Sequence, residues 1–146
     1  MGNKETPIQR RQTALLDPET LSKLPTIQPF YSETQLDGWR VTLVIQGDIG
    51  KSLHIDVAER AMIGRPDASE DHAPDVDLAP FGARDRGVSR RHAEIVVLNH
   101  QLHLCDLGST NGTWLNGQLL YPRQYYKLQD GDLIQCGSLQ MVLKLR

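Results

Sequence analysis

Four short polar stretches, each lying between apolar runs, carry the functional groups of this sequence. They cover residues 63–65, 87–92, 106–114 and 115–117, and each contains a glycine. Together they supply guanidinium, hydroxyl and amide groups from Arg65, Arg90, Arg91, Ser89, Ser109, Thr110, Asn111 and Asn116. Arginine forks combined with hydroxyl and backbone N–H donors match the hydrogen-bonding needs of phosphate oxygens. The inventory therefore favours a phosphate-binding site.

The distribution of charge indicates a small anionic target. Four arginines and one acid lie between Arg84 and His92. The whole chain has 16 Lys and Arg against 18 Asp and Glu, for a net charge of -2. Such a balance offers no general attraction to nucleic acid or to an anionic membrane, so neither is expected as a partner.

Short apolar-polar alternations must position these polar stretches. Val41, Leu43 and Ile45 alternate with polar or outward positions, and the run from Leu139 to Leu145 has the same period of two. Period two with frequent turn residues predicts about ten short strands, and hence an all-β sandwich or barrel. The region contains no convincing amphipathic helix.

The first 38 residues differ from the rest. They contain four prolines and no sustained apolar periodicity, which predicts a flexible N-terminal tail (1–38) before a folded domain (39–146). The two cysteines, Cys105 and Cys136, lie inside apolar alternating runs, so we expect buried free thiols and a cytoplasmic protein.

Two other interpretations, a hydrolase triad and a calcium-binding loop, are disfavoured by spacing. Ser89, His92 and Asp106 contain the groups of a hydrolase triad, but a Ser and a His three residues apart rarely align for proton transfer. An acidic cluster lies at Asp67, Asp71, His72, Asp75 and Asp77. Its spacing lacks the glycine and the bidentate Glu of a calcium loop. We therefore expect no catalytic residues, no cofactor and no metal.

The order of the polar motifs resembles that of the forkhead-associated (FHA) domain family. The motifs are Gly64-Arg65, Ser89-x-x-His92, Thr110-Asn111-Gly112-Thr113 with Asn116-Gly117, and Gly131-Asp132 before a late strand. The resemblance covers about residues 39 to 146. It implies an antiparallel β-sandwich of about eleven short strands, whose loops at one end bind phosphothreonine peptides.

The resemblance also implies a role for each binding residue. Arg65 would contact the phosphate or the nearby peptide backbone, Ser89 would hydrogen-bond the phosphate, and Arg90 would lie beside it. Thr110 would line the phosphothreonine pocket, and Asn111 would hold the peptide backbone in an extended form.

Four further residues are implied to shape the loops. His92 and Asn116 would brace them, while Gly64 and Gly112 would allow the backbone path.

The implied partners are phosphothreonine-containing proteins, either Ser/Thr kinases or their substrates. An adaptor in kinase signalling is the favoured function, and a scaffold of the same fold that binds unphosphorylated partners is the alternative. The tail adds the hypothesis of phosphorylation-dependent self-association. Thr34 lies too close to the domain to reach its own loops, whereas Thr13 has enough slack to fold back.

Overall fold

A computed structural model describes residues 38–69 and 73–146, and these residues form eleven strands in two sheets. The strands are β1 (Trp39–Ile45), β2 (Ser52–Val57), β3 (Arg60–Gly64), β4 (Val76–Asp77), β5 (Arg91–Leu98), β6 (Gln101–Asp106), β7 (Thr113–Leu115), β8 (Gln118–Leu119), β9 (Tyr125–Lys127), β10 (Leu133–Cys136) and β11 (Leu139–Leu145). The predicted tail, including Thr13 and Thr34, lies outside the described residues except for Gly38.

The two sheets have the orders β2-β1-β11-β10-β7-β8 and β4-β3-β5-β6-β9. The predicted all-β sandwich of about eleven strands is confirmed. One pair departs from the antiparallel prediction, because Ile63 of β3 pairs in parallel with Val76 of β4. A parallel neighbour requires a crossover, and the segment after Gly64 provides one. Helical structure in the described residues is limited to a 3-10 turn at Ala79–Phe81. In the same residues, no helix is long and apolar enough to cross a membrane.

The core lies between the two sheets and follows from the alternation in the sequence. In β1 and β11 the residues Val41, Leu43, Met141 and Leu143 are all at most 1 % exposed. They pack with side chains from the other sheet in one cluster that includes Ile63, Ile95, Leu102 and Leu104. Burial of alternate side chains on both inner faces is what holds two sheets together.

Two tight hairpin turns use residues that tolerate positive φ. Asn99 and His100 join β5 to β6 with φ of 51° and 65°, and Asn116 and Gly117 join β7 to β8 with φ of 52° and 84°. Two consecutive positive-φ residues match the twist of the flanking strands. Both turns therefore join neighbouring antiparallel strands as hairpins.

Asn116 does more than turn the chain. Its Nδ2 donates to Asp132 Oδ1 at 3.0 Å, and its Oδ1 accepts from the Leu133 N–H at 2.9 Å. The side chain thus fastens the β7–β8 turn to the start of β10. These contacts lie apart from the loops that carry the other predicted site residues.

Replacing Asn116 should lower the free energy of unfolding in two separable parts. Asn116→Gly keeps the left-handed backbone accessible but removes both side-chain bonds, at a cost of about 1–2 kcal/mol. Asn116→Ala adds backbone strain and should cost about 1 kcal/mol more. Urea denaturation measures both, with Gln118→Ala at the exposed next strand as the control. Equal stability of Asn116→Ala and Gln118→Ala would contradict this role.

Candidate phosphate-binding site

The end of β3 approaches the segment before β5 so closely that only glycine fits there. A Cβ atom on Gly64 would lie 1.9 Å from the carbonyl oxygen of Arg90. The next residue, Arg65, donates its backbone N–H to that carbonyl at 3.3 Å. Its Nε donates to the carbonyl oxygen of Val88 at 2.8 Å, so the guanidinium is held against the loop.

Two hydrogen bonds join the loop at 87–90 to the loop at 107–112. The Thr110 N–H donates to Ser89 Oγ at 3.2 Å, and Asn111 Nδ2 donates to the Gly87 carbonyl at 2.9 Å. The exposed side chains of Thr110 and Asn111 are thereby placed beside the half-buried Ser89. Residues 21 and 24 positions apart in the sequence are therefore neighbours at one end of the sandwich.

The His92 imidazole is fully buried beneath these loops. Its Nδ1 accepts the Ser89 N–H at 2.9 Å, and its Nε2 lies 2.8 Å from the Gly112 carbonyl. Because Nδ1 must accept, the network assigns the proton to Nε2, which donates to Gly112. Burial lowers the pKa of His92, against the opposing effect of the Gly112 carbonyl. With both nitrogens bonded to backbone, His92 cannot receive a proton from the Ser89 hydroxyl.

The buried Asp106 carboxylate organises the loop that follows β6. It is 2 % exposed and accepts hydroxyl bonds from Ser109 at 2.5 Å and Thr113 at 2.6 Å. It also accepts the backbone N–H groups of Gly108 at 3.0 Å and Ser109 at 3.2 Å. Burial by itself raises the pKa of Asp106, but these hydrogen bonds outweigh it and hold the pKa below its usual value. Its hydrogen-bond donors are therefore Gly108, Ser109 and Thr113, whereas the His92 ring is bonded to the backbone of Ser89 and Gly112.

A carboxylate already stands beside one of the predicted phosphate-binding arginines. Arg90 forms an exposed ion pair with Asp67, which also accepts hydrogen bonds from Ser69. The Arg90 guanidinium, followed by the Ser69 hydroxyl, lowers the pKa of the Asp67 carboxyl to about 2. Sequence reasoning missed this contact, because nothing in the spacing relates Asp67 to a residue 23 positions away.

The rest of the acidic segment has local backbone roles. Asp75 accepts the Met62 N–H at 2.8 Å, and Asp77 accepts the Ala79 N–H at 2.9 Å. Residues 71 and 72 lie outside the described residues. No group of three or more His, Cys, Asp or Glu side chains in 38–69 and 73–146 is arranged to hold a metal ion.

All five predicted binding residues thus lie at one end of the sandwich: Arg65, Ser89, Arg90, Thr110 and Asn111. Within the described part of the chain, no carboxylate is in ion-pair distance of Arg65. Arg91 begins β5 and lines a different groove, on the outer face of the five-stranded sheet. A β-bulge explains this, because the pairing register between β3 and β5 shifts between Ile63 and Gly64, so that Arg91 lies on the outer face with Glu94 while the next residue, His92, is buried.

The turn between β10 and β11 supports both loops from below. Its Gly137 N–H donates to the Gly112 carbonyl at 3.0 Å, and the Ser138 N–H donates to the Arg86 carbonyl at 2.8 Å. A Cβ on Gly137 would lie 2.3 Å from that same Arg86 oxygen. Sequence reasoning missed this contact, because a glycine in a turn is compatible with many different packing arrangements.

Comparison with known proteins gives a consistent result. A family model described as FHA domain matches residues 61–137. The chain is 42% identical over 67 residues to the FHA domain-containing protein FhaA of Mycobacterium tuberculosis, covering 46% of this chain and 12% of FhaA. It is 35% identical over 83 residues to an oxoglutarate dehydrogenase inhibitor of Corynebacterium efficiens, covering 57% of this chain and 54% of the inhibitor. The matched region therefore spans less than two thirds of the length of each of these two relatives.

Solved structures share the fold. A structure from a study of phosphothreonine-dependent FHA domain interactions is 32% identical, with a TM-score of 0.56, and covers 73% of this chain and 97% of its own. The FhaA FHA domain in complex with the intracellular domain of Rv3910 is 32% identical, with a TM-score of 0.55, and covers 71% of this chain and 99% of its own.

Replacing the Asp106 carboxylate should destabilise the protein in a pH-dependent way. Asp106→Asn turns an acceptor into a donor facing other donors, at a cost of about 3 kcal/mol at pH 7. Because the folded pKa is lowered, the ionised carboxylate stabilises the wild type above the unfolded pKa of about 4. That contribution is lost as the pH falls further, through the folded pKa. Urea denaturation at pH 7 and at lower pH should show the two proteins converging. Asp56→Asn, at an exposed strand position, is the control, and an equal effect there would contradict the prediction.

The tautomer and pKa of His92 are open to direct observation. Long-range 1H–15N NMR spectra should show a neutral ring protonated at Nε2, and its pKa should lie below the usual 6.5. Since the folded pKa is depressed, the unfolded chain binds more protons in this range, so acid below about pH 6.5 should lower stability. A ring that titrates at or above 6.5, or carries its proton on Nδ1, would contradict the assignment.

Proposed function

The chain belongs to the FHA domain family, and on that premise we propose that it is a phosphothreonine-binding module acting as an adaptor in Ser/Thr kinase signalling. The observation that supports this most strongly is the convergence of Arg65, Ser89 and Asn111 at the ends of three separate strands. FHA domains take part in phosphothreonine-dependent interactions, as studied for the related structure. The partner of this chain would be a protein carrying a phosphorylated threonine.

The charge of the proposed ligand matches the phosphate cradle, the site formed by Arg65, Ser89 and Asn111. A phosphothreonine carries nearly two negative charges at neutral pH and presents three acceptor oxygens. Arg65 would donate from the guanidinium nitrogens that are not engaged by Val88, and Ser89 would donate its hydroxyl hydrogen. Charge-assisted hydrogen bonds contribute roughly 1.5–3 kcal/mol each, so two or three of them would decide the affinity.

The cradle is held in place before any ligand arrives. The Asn111 amide is fixed by the Gly87 carbonyl, which leaves its Oδ1 to accept a backbone N–H of an extended peptide. Arg90 lies at the same end of the sandwich. There a phosphate oxygen would replace the Asp67 carboxylate as its ion-pair partner. Groups already ordered lose little conformational entropy on binding, which favours affinity.

Threonine would be preferred over serine to a limited extent. The additional methyl group of phosphothreonine needs a small apolar niche, which Thr110 would help to line. Burial of one methyl is worth on the order of 1 kcal/mol, so the preference should be graded.

We propose that this module has no catalytic activity of its own. Both nitrogens of His92 are bonded to backbone, and Asp106 is bonded to its own loop. The curated relatives include an inhibitor and a glycogen accumulation regulator, named for control of other proteins or processes. The proposed place of action is the cytoplasm, which is in keeping with the two buried, free cysteines.

Binding of phosphopeptides is distinguishable from the alternative, a scaffold for unphosphorylated surfaces. The scaffold would bind its partner equally well with or without phosphate. Peptides spanning Thr13 and Thr34 of this chain belong among those tested, because phosphorylation of either residue would offer the module a ligand within its own sequence.

Calorimetric titration with a threonine peptide library, phosphorylated and unphosphorylated, tests the proposal. Wild type should bind phosphothreonine peptides, bind phosphoserine about 1 kcal/mol more weakly, and fail to bind Glu substitutes. Arg65→Ala should cost roughly 2–5 kcal/mol in affinity, because the phosphate loses its fixed guanidinium.

Arg40→Ala is the matched control, since Arg40 is exposed on β1 in the other sheet. It should leave affinity unchanged, and both variants should unfold within about 1.5 kcal/mol of the wild type. Equal affinity for phosphorylated and unphosphorylated peptides would overturn the proposal in favour of the scaffold.

A further inference from the structure

The outer face of the five-stranded sheet carries a row of side chains that the phosphate site does not use. Strand register places Met62 opposite Glu94, Glu94 opposite Cys105, and Cys105 opposite Tyr125. Directly opposed residues project to the same face. The row therefore crosses four strands, from β3 to β9, on the side away from the core.

A groove of about 610 Å3 follows this row. Met62, Leu107 and Tyr125 provide its apolar lining, and Tyr125 is 52 % exposed. Arg60, Arg91 and Arg123 provide its positive charge. Tyrosine, methionine and arginine are the residue types enriched at protein interfaces.

The charges in this groove do not cancel. Arg60 is paired with Glu94 at 3.6 Å, and Asp75 is engaged by the Met62 N–H at 2.8 Å. Arg91 and Arg123, in contrast, have no carboxylate within ion-pair distance in the described part of the chain. Because a backbone N–H does not neutralise Asp75, the groove holds three arginines against two carboxylates, and the arginines without an ion pair, Arg91 and Arg123, lie beside the exposed apolar strip.

We propose that this groove, the Arg91–Arg123 groove, binds an acidic segment of a protein partner that also carries apolar side chains. Carboxylates of that segment pair with Arg91 and Arg123, while its apolar side chains cover Met62, Leu107 and Tyr125. The complementary sign of charge selects the segment, and burial of the apolar strip contributes to affinity.

The acidic residues in the groove argue against a nucleic acid as the occupant. Glu94 and Asp75 lie among the arginines and would repel the evenly spaced phosphates of a nucleic acid strand. A protein segment can place its carboxylates at the two unpaired arginines alone. The net charge of -2 likewise gives a long polyanion no general attraction.

The groove starts next to the phosphate-binding loops. Arg91 directly follows Arg90, and Leu107 directly precedes the 108–112 part of the loop that carries Thr110 and Asn111. One partner can therefore occupy both surfaces, and the second contact then benefits from a high effective concentration. The groove itself shares none of the predicted binding residues, so its occupancy does not require phosphate.

NMR titration of the 15N-labelled full chain tests the groove. The probe is the acetylated and amidated heptapeptide Gly-Glu-Leu-Ser-Phe-Glu-Gly, which is unphosphorylated and carries two carboxylates. Saturable shifts are expected at the backbone amides of Met62, Glu94 and Tyr125. Arg91→Gln combined with Arg123→Gln should raise the Kd at least about fivefold at low salt. Lys144→Gln on the exposed side of β11 removes positive charge elsewhere and should change it less than about twofold.

Several results would overturn the proposal. These are the absence of saturable shifts up to about 1 mM peptide, shifts confined to Ser89, Thr110 and Asn111, or an equal effect of Lys144→Gln. Tighter binding of a thymidine octanucleotide at the same amides would assign the groove to nucleic acid. Titration of the same variants with a phosphothreonine peptide keeps the two proposals separate. The Arg91→Gln, Arg123→Gln double variant should retain its affinity for the phosphothreonine peptide. Arg65→Ala should lose that affinity but still bind the heptapeptide.

Discussion

A buried carboxylate and a buried imidazole, those of Asp106 and His92, hold together the end of the sandwich that carries the candidate phosphate-binding site. An ionised group in such a place is tolerated only when its oxygens are fully hydrogen-bonded. Asp106 satisfies that condition by folding the following loop around itself, with Ser109 and Thr113 as hydroxyl donors. His92 then ties the same loop to the segment before β5 through the backbone of Ser89 and Gly112.

This buried framework sets the positions of the exposed candidate binding groups. Ser89 and Thr110 are joined through a hydroxyl, and Asn111 is anchored on a carbonyl of the neighbouring loop. Arg65 arrives from a third strand, after a glycine that permits close backbone contact. Loops usually carry function on a rigid scaffold, and here the rigidity extends into the loops themselves. A ligand would find its donors already oriented.

The sequence was sufficient to predict the fold class, and the family resemblance predicted which candidate residues lie together at one end of the sandwich. Alternation marks the strands, Asn-Gly marks a hairpin, and the motif order places Arg65, Ser89 and Asn111 together. The contacts that hold the site were not predictable in the same way. Asp106 was considered only as a member of a disfavoured hydrolase triad, and Asp67 as one acid among several. The residues that Asp106 and Asp67 contact depend on the three-dimensional course of the loops, which the spacing of residues in the sequence does not predict. The parallel pairing of β4 was missed for the same reason.

The ion pair between Asp67 and Arg90 has a consequence for selectivity among anions. Asp67 is paired with the guanidinium of Arg90, which the proposed phosphate would contact, so a ligand that binds Arg90 must displace this carboxylate. A singly charged anion such as acetate, or an acidic side chain of another protein, interacts with Arg90 no more strongly than Asp67 does. A dianion interacts more strongly, because its greater charge strengthens the attraction. Under the proposed function, Asp67 therefore disfavours singly charged anions at Arg90, to a modest extent because the ion pair is exposed.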